Sequence, residues 1–279
     1  MMTTSKLARG VAAIRPAVLA LCILSLAGAA VAQQEFGLLT GGPRSLGYQD
    51  YVRAMRAAER LDHVATIESL EDADGPVLAI GDRFGLVRLV HVTGEGARAL
   101  WTSKQLTGTV QEVLSADLDG DGADEVIAWT SAAILYVWSA SDGRLRYETL
   151  QNDFQVLHGL CVGDVDDDPA LELVVNANRH LYYIDGVNFN REWTSLNEYE
   201  ANRVAVGDVD GDKLPEIVLN TGQVLNSRSG DLKWGDEVFG SRMELLDVDG
   251  DGILEVLTES DGAVMRIYDV DVRREKHLQ

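Results

Sequence analysis

From residue 64 onward the apolar residues fall in short runs divided by turn residues, and no apolar stripe repeats every three or four positions. "VQEVLSA" is followed by "VIAWT", "FQVLHGLCVG" by "LVVNA", "NRVAVG" by "IVLNT" and "RMELL" by "VLTES". Each pair brackets a tight acidic loop and reads as a β-hairpin. A third run, a turn and a fourth run follow each hairpin: "AILYVWSASDGRLRYET", "HLYYIDGVNFNREWTS", "GQVLNSRSGDLKW" and "AVMRIYDVDVRREK". The steps "SDG" and "SGD" carry the turn chemistry. The repeating unit is therefore four short strands.

The loops between the first two strands are "DLDGDGADE" (117–125), "DVDDDPALE" (164–172), "DVDGDKLPE" (208–216) and "DVDGDGILE" (247–255). Their first aspartates are 47, 44 and 39 residues apart, a period that points to a propeller or a similar array. An upstream stretch, 64–103, has the same order of parts. Its loop, "EDADGP", is shorter and lacks the closing acid, so it reads as a blade without an ion site. The prediction is an all-β fold, a β-propeller of about five four-stranded blades. The blades span roughly 64–105, 109–152, 154–197, 199–236 and 238–279. A lone four-stranded sheet cannot cover both its faces; packing against neighbours around an axis does so.

The first 63 residues differ. Residues 1–32 combine Lys6, Arg9 and Arg15 with an apolar run and the small-x-small step Ala30-Val31-Ala32, the pattern of a secretory signal peptide. An uncleaved N-terminal anchor is the alternative. Residues 33–63 read as a linker with a short helix, because Tyr48, Tyr51, Val52, Met55 and Ala58 stand at helical spacing. The expected compartment is outside the cytoplasm: periplasm, cell surface or medium.

The formal charge is −21, and loss of three basic residues with the leader takes it to −24. A chain so acidic is a poor partner for nucleic acid, which needs a basic face. No stable transmembrane span is expected after the leader. Cys161 is the one cysteine beyond it, which excludes an intrachain disulfide there and reads as a small core residue. The five histidines show no ligand or triad spacing, and no nucleophile or metalloprotease motif occurs. No catalytic residue is assigned.

Eighteen of the 45 carboxylates lie in the four loops, at fixed offsets inside an apolar repeat. A solvated charged face does not require such offsets. Calcium takes six to eight oxygen ligands, and alternate residues of a tight loop can turn carboxylates to one centre. The loops open as an EF-hand does, with acids at positions 1, 3 and 5, but close with an acid at position 9 instead of 12. Metal-free aspartate turns held by side-chain-to-backbone hydrogen bonds are the alternative.

At these residues the chain resembles the FG-GAP/VCBS repeats of integrin α-like propellers, over about 64–279. The resemblance implies calcium held by positions 1, 3, 5 and 9 and by the carbonyl of position 7. In the second blade these are Asp117, Asp119, Asp121 and Glu125 with Ala123. In the third they are Asp164, Asp166, Asp168 and Glu172; in the fourth, Asp208, Asp210, Asp212 and Glu216. The fifth offers Asp247, Asp249, Asp251 and Glu255 with Ile253. Position 6 is Gly122 and Gly252 in the second and fifth loops, Lys213 in the fourth and Pro169 in the third. A positive φ there suits glycine, strains lysine and excludes proline, so the second and fifth loops are expected to bind best and the third worst or differently. The strand–turn–strand tails also resemble quinoprotein-like repeats, but Trp101, Tyr147, Trp193 and Trp234 read as aromatics packed between blades.

The expected function is an exported calcium-binding module that takes a protein or glycan on the propeller face, with calcium mainly structural. A secreted lyase or hydrolase using the central funnel and a cell-envelope scaffold are the alternatives.

Overall fold

The structure, a computed structural model, describes residues 62–276 apart from 71–74, 95, 167, 236–237, 261–263 and 272–273. The expected leader and the expected linker with its helix over 33–63 lie outside the described residues, save for Asp62 and His63, which are in a turn. Among the described residues twenty strands form five four-stranded antiparallel sheets, each built from strands consecutive in sequence. Blade 1 holds β1 (Val64–Thr66), β2 (Val77–Gly81), β3 (Val87–Thr93) and β4 (Gly96–Thr102). Blade 2 holds β5 (Val110–Ala116), β6 (Glu125–Thr130), β7 (Leu135–Ser139) and β8 (Leu145–Glu148). Blade 3 holds β9 (Leu157–Gly163), β10 (Glu172–Ala177), β11 (His180–Asp185) and β12 (Arg191–Thr194). Blade 4 holds β13 (Val204–Gly207), β14 (Glu216–Leu219), β15 (Gln223–Asn226) and β16 (Leu232–Gly235). Blade 5 holds β17 (Arg242–Leu246), β18 (Glu255–Ser260), β19 (Val264–Asp269) and β20 (Arg274–Lys276). This is the five-bladed all-β architecture that the repeat predicts.

Burial follows strand position. Every residue of β10 and β14 is buried, whereas β8 and β12 are exposed or half-buried throughout. Sheets covered on both faces carry near-continuous apolar runs, which is why "LVVNA" and "IVL" lack alternation. Four apolar clusters join successive blades: 1 to 2 around Leu89 and Tyr136, 2 to 3 around Ile127 and Leu173, 3 to 4 around Leu181 and Leu219, 4 to 5 around Val218 and Val256. Each fully buried aliphatic or aromatic side chain in them contributes about 1.5–3 kcal/mol.

The outer-strand aromatics reinforce these joints, as expected. Trp101 donates from Nε1 to the carbonyl of Ala140 in the next blade at 2.8 Å. Tyr147 stacks on Phe189 of blade 3 with ring centroids 4.7 Å apart. Trp193 lies against Gly230 of blade 4, and Trp234 against Phe239 and Tyr268 ahead of it.

Just before each aromatic the outer strand bulges. Leu89 and Val90 pair with Trp101 and Ala99, leaving Leu100 as the extra residue. The same slip leaves Arg146 extra in β8, Glu192 in β12 and Lys233 in β16. A bulge bends the strand and re-aims a side chain. In blades 2 to 4 it sits beside the acidic loop of its own blade.

Candidate metal centres

The four acidic loops connect the first and second strands of blades 2 to 5 and share one backbone pattern. The closing glutamate folds back so that its Oε2 accepts the N–H of position 2: Leu118 to Glu125 at 3.1 Å, Val165 to Glu172 at 2.8 Å, Val209 to Glu216 at 3.1 Å and Val248 to Glu255 at 2.7 Å. The side chain of position 2 points into the core in all four, with Leu118, Val165, Val209 and Val248 at most 1% exposed. The aspartate at position 5 accepts the N–H of position 7: Ala123 to Asp121, Ala170 to Asp168, Leu214 to Asp212 and Ile253 to Asp251. One apolar anchor and two side-chain clamps thus hold each loop in shape.

Position 6 has positive φ in three loops, at Gly122 (89°), Lys213 (70°) and Gly252 (92°). Its N–H reaches Oδ2 of the first aspartate: Gly122 to Asp117 at 2.9 Å, Lys213 to Asp208 at 2.9 Å and Gly252 to Asp247 at 3.2 Å. Lys213 adopts this conformation at a cost of about 1–2 kcal/mol. In blade 3 the residue is Pro169, which has no N–H to give Asp164.

Carboxylate oxygens converge within 4.8 Å in every loop: Asp117, Asp119 and Glu125; Asp164, Asp166 and Glu172; Asp208, Asp210 and Glu216; Asp247, Asp249 and Asp251. A fifth group, Asp168, Glu172 and Asp185, shares Glu172 with the blade 3 loop. Asp185 is absent from the nine-residue pattern because it comes from the end of β11, opposite Glu172 across the strand pair. The registers of blades 2 and 4 place Ser139 opposite Glu125 and Asn226 opposite Glu216.

The loops differ in what faces the acids. In blade 2 the guanidinium of Arg146 reaches Glu125 Oε1 at 2.6 Å and Asp119 Oδ2 at 2.8 Å. In blade 4 the ammonium of Lys233 sits among three carboxylates: Asp210 at 2.7 Å, Asp212 at 2.8 Å and Glu216 at 2.9 Å. Burial pulls Lys233 towards neutrality, but these three acids more than offset it and hold the ammonium well above its ordinary value. The corresponding residue in blade 3 is the acid Glu192. Its neighbour Arg191 turns away, over the rings of Tyr182 (4.4 Å) and Phe154 (5.4 Å). Among the described residues no ion pair reaches the blade 3 loop.

Two of these loops therefore carry a built-in cation and one carries surplus charge. Glu172 is fully buried, and its Oε1 accepts no hydrogen bond. Burial, and then Asp166, Asp168 and Asp164, push its carboxyl up to about 7 despite the N–H of Val165. Burial likewise raises Glu125 and Glu216, where Arg146 and Lys233 pull the other way. An all-oxygen set around an orphaned buried carboxylate oxygen fits a hard divalent cation in blade 3. In blades 2 and 4 the convergent oxygens are already bound by nitrogen donors.

The sequence reading named the loop acids but missed Asp185, Arg146, Glu192 and Lys233. For the last three the sequence offers one mark, a place immediately before the outer-strand aromatic; for Asp185 it offers none. An axial cavity of about 300 Å³ is lined by the inner strands, with Glu112, Arg203, Arg242 and Glu244 among its walls. Arg203 pairs with Asp62 there at 2.9 Å. Cys161, the thiol of β9, is buried.

The sequence matches no family model and none of the curated proteins compared with it. Solved structures are similar in fold. The V. cholerae biofilm matrix protein Bap1 matches at a TM-score of 0.51 with 15% identity, over 75% of this chain and 37% of that one. Saccharomyces cerevisiae Sqt1 matches at 0.55 with 12% identity, over 75% and 59%. BBS1N, solved in complex with ARL6DN, matches at 0.55 with 13% identity, over 79% and 69%. The chain thus spans less than two thirds of the length of the first two. At such identities the likeness is one of fold: the chain is a β-propeller. Among the described residues no helix is long and apolar enough to cross a membrane.

Proposed function

We propose that this chain is an exported, calcium-stabilised propeller of the FG-GAP/VCBS kind that binds a protein or glycan on its loop-bearing end. The observation that carries the calcium reading is Glu172 Oε1, a fully buried carboxylate oxygen with no hydrogen-bond donor inside a cluster of acids. Such an oxygen is costly unless a cation or proton meets it. An ion bound only to the folded chain stabilises it by mass action, which suits an exterior rich in calcium. The binding role is supported by the fold likeness to a biofilm matrix protein and to a propeller solved with a protein partner. A fold alone does not fix a ligand, so the partner class rests on that analogy.

Calorimetric titration of the chelator-stripped chain with calcium, and separately with magnesium, tests the metal. Calcium should give a binding heat and raise the melting temperature. Equal melting with and without calcium, and no heat up to millimolar concentration, would refute it. Glycan-array and pull-down assays with and without chelator test the binding role; a hit retained on the loop-bearing end supports it.

A further inference from the structure

The acidic loops are not equivalent, and the difference lies outside them. At the bulge of the outer strand, blades 2 and 4 carry a cation and blade 3 an acid. The residue facing the closing glutamate changes in step. It is neutral where the cation is present, Ser139 and Asn226, and acidic where it is absent, Asp185. In blade 4 the ammonium of Lys233 lies 2.7–2.9 Å from positions 3, 5 and 9, the same carboxylates a metal ion would use. In blade 2 the guanidinium of Arg146 takes positions 3 and 9. A metal cannot enter either centre without expelling a hydrogen-bonded cation from among its ligands.

We infer that the bulge residue decides how loops 2, 3 and 4 are neutralised, so that Arg146 and Lys233 are built-in counter-ions for loops 2 and 4, while loop 3 takes a divalent cation with Asp185 as a ligand from outside the loop and Glu192 as added charge at its mouth. This rests on the calcium reading above and assigns it to particular residues. Four observations on loop 3 converge. Glu172 Oε1 is buried and without a donor. Glu172 belongs to two overlapping groups of acids, one with Asp164 and Asp166 and one with Asp168 and Asp185. Pro169 leaves Asp164 without the amide that ties Asp117, Asp208 and Asp247. Arg191, the nearest basic residue on β12, is committed to the aromatic rings of Tyr182 and Phe154. Position 6 alone favours loops 2 and 5 and puts loop 3, with Pro169, last; the nitrogen cations and Asp185 reverse that order between loops 2 and 3.

The test uses the full chain, stripped of metal, in an Asp249→Asn background that silences the blade 5 loop. Calcium is titrated by calorimetry, and circular dichroism confirms the fold of each variant. The background protein should bind one calcium. Asp185→Asn and Glu192→Arg should each weaken it by about tenfold or more; Glu192 is exposed, so its replacement does not threaten folding. Asp119→Asn and Asp210→Asn should leave the affinity unchanged. Lys233→Met should add a second binding event, because loop 4 then lacks its counter-ion. A stoichiometry of three in the background, or loss of binding in Asp119→Asn with none in Asp185→Asn, overturns the inference while leaving the calcium reading intact. Absence of any calcium heat in every form overturns both.

Discussion

Glu172 and Asp185 face each other across β10 and β11, 0% and 3% exposed, with carboxylate oxygens within 4.8 Å of one another and of Asp168. Like charges directly opposite in a sheet destabilise it, the more so when buried. Asp185 Oδ1 accepts the N–H of Asn188 at 2.6 Å, which relieves only one of its oxygens. Without metal, Asp185→Asn should therefore stabilise the chain, by about 1 kcal/mol. With calcium in excess the same substitution should destabilise it. Thermal melts in chelator and in millimolar calcium read the two signs; a single sign in both buffers would show that the pair does not share a cation.

The turn at Gly230 allows a second prediction. Gly230 has φ of 72°, and an added Cβ would lie 2.7 Å from Trp193 Cζ2 of the preceding blade. Gly230→Ala combines left-handed strain with displacement of an inter-blade aromatic, an expected loss of about 2 kcal/mol or more. Urea unfolding measures it. Blade 3 holds Phe189 at the same turn position with φ of 58°, where it stacks on Tyr147. An unchanged midpoint for Gly230→Ala would mean that Trp193 rearranges without cost.

Asp82, at the turn between β2 and β3 of the blade without an acidic loop, predicts a pH dependence. Burial raises its carboxyl, but the N–H groups of Leu86 and Phe84 and the guanidinium of Arg88 at 2.6 Å outweigh it, and the net shift is downward. The folded chain therefore binds this proton less tightly than the unfolded chain. The stabilisation from Asp82 is present above the ordinary carboxylate range and is lost as pH falls through the depressed folded value. The stability difference between wild type and Asp82→Asn should be largest near neutrality and shrink on acidification below about pH 4. A difference that grows on acidification would contradict the hydrogen-bond geometry.

The blades were legible because their period survives in the apolar runs and because each loop repeats its acids at fixed offsets. The site was legible only as far as those offsets reach. Asp185 is thirteen residues beyond Glu172 in sequence and reaches it through the β10–β11 register, which depends on the tight turn at Asn178 and Arg179, both at positive φ. Arg146, Glu192 and Lys233 were hidden for a similar reason. Their strands are exposed, and in a regular strand each would point away from the residue that the bulge lets it meet. Residue type at position 6 does foretell backbone shape, since Gly122, Lys213 and Gly252 all have positive φ. It carries no information on charge supplied from a strand some twenty residues away.

Lys233 offers the sharpest energetic test. Its ammonium contacts Asp210, Asp212 and Glu216, the last fully buried. Removing the cation from such a centre leaves carboxylates uncompensated, which costs about 3 kcal/mol when the partners are buried. Asp212 is largely exposed and recovers solvation, so the loss resides chiefly in Glu216. Lys233→Met in chelator should accordingly lower the unfolding free energy by about 3 kcal/mol. Lys233→Met combined with Glu216→Gln should recover most of it, because a neutral amide needs no counter-ion. Urea denaturation of both variants decides the point. If the double variant is no more stable than the single one, Lys233 acts through packing of its aliphatic stem and not through charge.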